Sequence, residues 1–135
     1  MALLAGSQAW ADAPSCPKSI QVAETPGAIP QGFKAFANGN KPSADLTISA
    51  TRDLNNIQFS DGPPNETAWL APDNEDRGFE SWHFLPSPGK QIWFTCGYSD
   101  TRVILSAPLP ADIKFCRVSH DPSVQSYAAT GMICK

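Results

Sequence analysis

The sequence predicts an all-β protein, a single antiparallel β-sandwich or open barrel domain that two disulfides crosslink. Apolar and polar residues alternate in most segments, so the periodicity is closer to two than to the 3.6 residues of a helical turn. Thirteen prolines and nine glycines interrupt the 135 residues and leave little room for long helices. Short candidate strands recur at the roughly 8–12-residue spacing that is typical of sandwiches and barrels.

The first half of the chain contains short extended segments and one charged loop. The predicted segments include residues 20–22, 33–36, 46–50, 57–59 and 67–71. In the third of them Leu46, Ile48 and Ala50 share one face, and Asn38-Gly39-Asn40 precedes it as a turn. Residues 73–78 follow as a predicted solvated loop, because four of these six side chains carry charge.

The second half of the chain predicts a clearer sheet. Its candidate strands are residues 79–85, 92–98, 101–105, 113–118 and 132–134. Trp82 and Phe84 fall on one side of the first strand, and Phe94 belongs to the apolar face of the second. Pro108 and Pro110 are expected to break the ladder after the third strand, because proline cannot donate a backbone hydrogen bond.

The N-terminal residues predict export. Residues 1–5 are apolar, and Ala9-Trp10-Ala11 gives the small-x-small pattern that signal peptidase cleaves. Residues 1–11 are therefore predicted to be a signal peptide remnant, and residues 12–135 one β domain. The leader lacks a basic residue before Lys18, which favours a truncated start; the alternative is an ordinary N-terminus of a cytosolic protein. No later apolar run approaches the ~18 residues of a membrane span, so no membrane insertion is expected.

The four cysteines predict two disulfides rather than a metal site or a catalytic thiol, because the predicted compartment is oxidising. Four cysteines allow three connectivities. If the strands near residues 91–98, 101–106 and 113–119 form a simple meander, two strand spacings of about 9.6 Å separate Cys96 from Cys116. That distance exceeds the ~7 Å that a disulfide tolerates. The preferred pairs are therefore Cys116–Cys134 and Cys16–Cys96.

The remaining residues give no support for catalysis, a metal or a cofactor. The net charge is −3 and the basic residues are scattered, which disfavours nucleic-acid binding. No nucleophile elbow, zinc-binding helix motif or phosphate-binding loop is present in the sequence. His83 and His120 are isolated and are more typical of hydrogen-bonded structural histidines. The acidic residues Asp73, Glu75 and Asp76 lack the glycine and the terminal glutamate of a calcium loop.

Three tryptophans allow two interpretations. Trp69, Trp82 and Trp93 could anchor the core, which the sequence favours for the set, or they could lie exposed and bind a sugar or a partner. Trp93 shares its strand side with Gln91 and Thr95, opposite the more apolar face of Ile92 and Phe94, so it is the best candidate of the three for partial exposure.

Several short motifs together resemble a known family. They are Cys16-Pro17-x-x-Ile20-x-Val22, Pro-Gln-Gly-Phe at 30–33 followed by Phe36, Trp93-x-x-Cys96-x-Tyr98-x-x-Thr101, Leu109-Pro110, Cys116-x-Val118 and Cys134. The pattern resembles a family of small, uncharacterised bacterial periplasmic proteins labelled by a Salmonella Typhi locus tag. Phe33 stands where the family pattern has a tryptophan.

The resemblance implies a periplasmic protein of a Gram-negative bacterium, encoded in or near type VI secretion clusters. The function it implies is an immunity protein that binds and blocks a peptidoglycan-targeting effector, without catalysis of its own. The candidate contacts are Asp73, Glu75, Asp76 and Arg77 in the charged loop, with Trp93 as an anchor. Two alternatives remain: a host-lysozyme inhibitor, and a periplasmic glycan- or muropeptide-binding module that uses the tryptophans.

Overall fold

The computed structural model describes residues 13–36, 47–85, 89–123 and 128–135. Within them the strands are β1 Ser19–Glu24, β2 Ile48–Asp61, β3 Asn74–Glu75, β4 Phe79–His83, β5 Ile92–Tyr98, β6 Ile104–Pro108, β7 Phe115–His120 and β8 Ala129–Cys134. A single 3₁₀ turn, Pro64–Glu66, follows β2. The predicted leader at residues 1–11, the turn at 38–40 and Leu46 lie outside the described residues.

The strands form two four-stranded antiparallel sheets. The first sheet has the order β1-β2-β5-β6 and the second has the order β3-β4-β7-β8. The predicted all-β architecture, a crosslinked antiparallel sandwich or open barrel, is therefore confirmed. No helix in the described parts of the chain has the length and apolar character needed to cross a bilayer.

The core lies between the sheets because alternate side chains of both point inward. On β5 the inward residues Phe94, Cys96 and Tyr98 are buried, as the alternation predicted. Phe59 of β2 is fully buried, and its ring centroid lies 4.7 Å from that of Trp82 and 5.3 Å from that of Phe84, both from the segment that includes β4. These aromatic contacts join the two sheets, and truncating one such ring typically costs about 3–5 kcal/mol.

Strand β2 is long because different partners pair with its two halves. Residues 48–53 pair with β1, and residues from Leu54 onward pair with β5. The β2–β5 register shifts by one residue between Leu54 and Asn56, which indicates a β-bulge. Asn55 and Asn56, at this bulge, line a surface depression together with residues of the second sheet.

Both predicted disulfides are confirmed, but one step of the argument for them was wrong. Cys16 bonds to Cys96, and Cys116 bonds to Cys134, its direct partner across β7 and β8. The expected meander does not exist, because β7 pairs with β4 and β8 in the second sheet instead of following β6 in the first. Cys96 and Cys116 are therefore separated by their places in two sheets, not by one intervening strand.

Strand β6 ends at the first of the two prolines that were expected to break the ladder. Pro108 is the last residue of β6 and lies opposite Trp93. The Leu109 N–H donates to the Ile92 carbonyl at 2.7 Å, so the backbone nitrogen of the preceding Pro108 points away from β5. Because β6 is an edge strand, the missing donor of Pro108 costs no hydrogen bond within the sheet.

The first described residues are fastened to the first sheet beside the Cys16–Cys96 disulfide. The Tyr98 hydroxyl donates to the Pro17 carbonyl at 2.8 Å, and the Leu54 N–H donates to the Lys18 carbonyl at the same distance. Burial of the phenol raises the pKa of Tyr98 above its usual value of 10.0. These contacts lead directly into β1.

Candidate partner-binding site

The charged segment forms the tip of a tight hairpin. The Asp73 N–H donates to the Ser81 carbonyl, and the Asp76 N–H donates to the Phe79 carbonyl, each at 2.8 Å. Between them Glu75 pairs with Glu80 across β3 and β4. Residues 73–77 are exposed, as predicted, but the two-residue strand β3 was missed. Its polar sequence carries no apolar alternation, so only the pairing with β4 reveals it.

Three of the four predicted contacts in this segment line one surface depression. Glu75, Asp76 and Arg77 form one wall of a depression of about 610 Å³. Its other lining residues are Glu80 and His120 of the second sheet and Asn55 and Asn56 of the β2 bulge. We call this site the charged depression; it lies where the edge of one sheet meets the bulge of the other.

A hydrogen bond that is partly shielded from solvent joins the hairpin to β7 in this depression. His120 Nε2 lies 2.8 Å from Glu80 Oε1, and the two side chains are 13% and 26% exposed. Glu80 lies opposite Val118 and two residues before Trp82, so it occupies an inward-facing position. His120 is thus hydrogen-bonded, as its sequence setting predicted.

Glu80 and the two asparagines were missed by the sequence analysis. An acid at an inward position of a strand was the available signal for Glu80, because such a group needs a partner. No comparable signal existed for Asn56, whose position depends on tertiary packing. Its side-chain amide lies against Gly97 so closely that a Cβ at residue 97 would collide with Oδ1 of Asn56.

Asp73 and Trp93 lie apart from the charged depression. Asp73 accepts a hydrogen bond from the His83 N–H, and its Oδ2 lies 3.7 Å from His83 Nδ1. Trp93 is on β5 in the first sheet, opposite Ser60 and Pro108. It lines a different depression. The five predicted contacts are therefore distributed over separate surfaces.

Trp93 is partly exposed, as predicted, but Trp69 is the most exposed of the three tryptophans. Trp82 is buried at 3% exposure and Trp93 is half-buried, whereas Trp69 is 42% exposed. Trp93 lies in an inner strand with neighbours on both sides. Trp69 meets the sheet through one isolated bridge to Ser60, which leaves its indole open to solvent.

The charged depression is suited to binding a cationic surface. Glu75, Asp76 and Glu80 supply three carboxyl groups against the single guanidinium of Arg77, with His120 tied to Glu80. The Arg77 N–H donates to Asp76 Oδ1 at 2.7 Å, which orders the hairpin tip. Among the described residues no group of three or more histidine, cysteine or acidic side chains could hold a metal ion.

The fold is a small all-β domain crosslinked by two disulfides, and the charged depression is its candidate binding surface. Residues 49–135 match the family model described as Type VI secretion system Tli immunity protein. The match covers close to two thirds of the chain, so this protein belongs to that family. The predicted function, type VI secretion immunity, is thereby confirmed. No curated protein and no solved structure matches the chain.

The matched region contains nearly all of β2 and every later strand. It includes Cys96, Cys116 and Cys134 but excludes Cys16 and β1. One complete disulfide therefore lies within the matched region, whereas the other reaches outside it.

Proposed function

We propose that this immunity protein binds its cognate effector in the periplasm through the charged depression and blocks it without catalysis. The observation that carries the site is the convergence of Glu75, Asp76 and Arg77 with Glu80 and His120 around one cavity. The effector surface that fits this depression presents lysine or arginine side chains, because carboxyl groups dominate the lining.

The hairpin is preorganised for such a contact. Its backbone hydrogen bonds from Asp73 and Asp76 to β4 fix the tip, and the Glu80–His120 hydrogen bond joins the hairpin to β7. A partner that meets a preformed surface loses less conformational entropy on binding than one that must order a flexible loop. Asp73 supports the hairpin through His83, and its proposed role is structural rather than in direct contact.

The periplasmic location is supported by the two disulfides, which form and persist in oxidising compartments. A cleaved leader at residues 1–11 and a single mature domain at 12–135 belong to the same proposal. The resemblance in sequence adds that the effector attacks peptidoglycan. This target class is the finer part of the proposal and is tested separately from effector binding.

The binding site is tested with the purified effector encoded beside the immunity gene. The double variant Glu75→Lys/Asp76→Lys should lower affinity for the effector, whereas Asp112→Lys, a single charge reversal at an exposed acid outside the depression, should not. Both variants should keep the wild-type melting temperature. Absence of any complex with wild-type protein would overturn the function, and equal binding by the double variant would overturn only the site.

The target class is tested with isolated cell-wall sacculi. The effector should release soluble muropeptides, and an equimolar amount of the immunity protein should suppress that release. A parallel assay with phospholipid vesicles distinguishes a lipid-degrading effector. An effector that leaves sacculi intact while the chain still protects cells against it would overturn the cell-wall proposal and leave immunity standing. Lysozyme serves as the specificity control and should not be inhibited.

A further inference from the structure

A row of aromatic and small residues crosses the first sheet, and none of its members lines the charged depression. Ser60 of β2 lies opposite Trp69 on one side and Trp93 on the other, and Trp93 lies opposite Pro108 of β6. Directly opposed residues of antiparallel strands project from the same face of a sheet. The four residues therefore form a continuous row, which we call the tryptophan row.

The small, buried Ser60 lies between the two tryptophans. Ser60 is fully buried, and its hydroxyl donates to the Gly62 carbonyl at 2.8 Å. The two neighbouring pairs place the Cα atoms of Trp69 and Trp93 about 10 Å apart. Both tryptophans remain accessible, Trp69 at 42% and Trp93 in part. The spacing is fixed by backbone pairing rather than by flexible side chains.

Polar groups lie beside Trp93, the inner tryptophan of this row. A second depression of about 610 Å³ is lined by Trp93 together with Asp61, Glu66, Lys90 and Gln91. The Lys90 ammonium donates to Asp61 Oδ2 at 2.9 Å. This hydrogen bond, and then the charge of Asp61, raise the pKa of Lys90 above its usual value of 10.5. The volume lies in the range of small-molecule sites.

We propose that the tryptophan row and this depression bind an oligosaccharide. A sugar ring has an apolar C–H face, which stacks on an indole, and a rim of hydroxyls, which need donors and acceptors. Trp69 and Trp93 supply two indoles on one face. Carboxylate, amide and ammonium groups beside Trp93 supply the hydrogen-bonding partners.

The lining distinguishes a sugar from a peptide anchor. An apolar side chain of a protein partner would be recognised by an apolar pocket, whereas four of the residues beside Trp93 end in polar groups. Lys90 and Asp61 bond to each other, but an apolar side chain would exclude water from Glu66 and Gln91 without replacing its hydrogen bonds, which is unfavourable. The hydroxyl groups of a sugar would instead take over the hydrogen bonds that these polar groups make to water before the ligand binds.

This inference goes beyond effector binding and does not depend on it. None of the residues that line the second depression lines the charged one. A sugar site would allow the immunity protein to associate with a saccharide-bearing surface while the charged depression stays open. The two sites are therefore separable by mutation.

The test uses two defined probes, chitotetraose and cellotetraose, with glucose as a monosaccharide control. Titration into the full-length oxidised protein should change tryptophan fluorescence and give a calorimetric signal with at least one tetrasaccharide. Trp69→Ala should weaken binding about tenfold, since it removes one stacking surface. Gln91→Ala should weaken it less. Phe33→Ala removes a ring that is 72% exposed elsewhere and should leave affinity unchanged.

Effector binding is measured on the same variants. Oligosaccharide affinity lost in Trp69→Ala, with effector affinity retained, supports the proposal. Absence of a signal with both tetrasaccharides overturns it. Loss of effector binding in Trp69→Ala without saccharide binding by the wild type would also overturn it, because the row would then be part of the protein interface. Trp93→Phe keeps a ring in the sheet and serves as the second variant, with an expected intermediate affinity.

Discussion

The two sheets are crosslinked in opposite ways. In the first sheet Cys16 and Cys96 are 80 residues apart, and the bond ties the segment before β1 to an inner strand. In the second sheet Cys116 and Cys134 are 18 residues apart and already face each other across paired strands. The first bond therefore joins two parts of the chain that are far apart in sequence and do not pair directly. The second bond reinforces two strands that already pair with each other.

The sheets also divide the proposed functions. The hairpin β3–β4, Glu80 and His120 place most of the charged depression in the second sheet. The tryptophan row lies across the first. The disulfides are buried or half-buried, whereas both candidate surfaces are open to solvent. Substitutions that lower stability can therefore be made at positions different from those that change binding.

Removing the long-range disulfide should have the largest effect on stability. In the loop-entropy model a bond that spans 80 residues contributes about 4.5 kcal/mol to the free energy of unfolding. The variant Cys16→Ala/Cys96→Ala should lose most of that amount in urea denaturation monitored by circular dichroism. Amide hydrogen exchange should rise first in β1, because the Cys16–Cys96 bond and the hydrogen bonds to the Pro17 and Lys18 carbonyls hold the segment that leads into this strand. An unchanged denaturation midpoint would contradict the comparison of the two crosslinks.

Removing the local disulfide should cost less. The same model gives about 3.2 kcal/mol for a span of 18 residues. The matched variant Cys116→Ala/Cys134→Ala should therefore unfold at a higher urea concentration than the variant that lacks the first bond. Because Cys116 is fully buried, part of the loss reflects packing rather than chain entropy. The reverse order of the two variants would show that packing, not loop length, decides which crosslink matters.

The sequence predicted the parts of this fold that depend on local patterns. Alternation identified β5 and its inward face, and the charge of residues 73–77 identified an exposed segment. The partner of each strand could not be predicted, because β7 follows β6 in sequence but pairs in the other sheet. The disulfide pairs were correct although the meander was wrong, since both arrangements keep Cys96 away from Cys116.

The candidate site was predictable only where the chain is contiguous. Glu75, Asp76 and Arg77 lie next to one another in sequence, but Glu80, His120 and the β2 bulge join them through sheet packing. Trp93 was grouped with the charged segment although it lies in the first sheet. The types of charged and aromatic residues in a sequence do not tell how far apart these side chains lie in the fold, whereas the register of the paired strands does.

Charge reversal in the charged depression should change association more than dissociation. Glu75→Lys/Asp76→Lys replaces two exposed carboxylates, and exposed charges chiefly steer the encounter of two proteins. We expect the association rate for the effector to fall about tenfold at low salt, with a smaller difference at high ionic strength. Surface plasmon resonance at two salt concentrations measures this. The Trp69→Ala variant of the first sheet is the reference and should associate at the wild-type rate.

The smallest predicted effect concerns Tyr98 at high pH. The raised pKa of Tyr98 means that the folded protein holds the phenolic proton more tightly than the unfolded chain does. The associated stability is therefore complete below about pH 10, the ordinary tyrosine value, and is lost as the pH rises through the higher folded-state pKa. Deprotonation also removes the hydrogen bond to the Pro17 carbonyl, which is worth about 1 kcal/mol.

The variant Tyr98→Phe isolates this contribution. It should be less stable than wild type at neutral pH by about 1 kcal/mol, and its stability should fall less steeply above pH 10. The pKa of Lys90 is also raised, so its deprotonation lowers the stability of both proteins in the same pH range. This contribution is the same in wild type and Tyr98→Phe and therefore cancels in their difference. Equal slopes for the two proteins would show that Tyr98 does not link its proton to folding. The segment that leads into β1 would then be held to the first sheet by the Leu54–Lys18 backbone hydrogen bond and the Cys16–Cys96 disulfide, without a contribution from the Tyr98 proton.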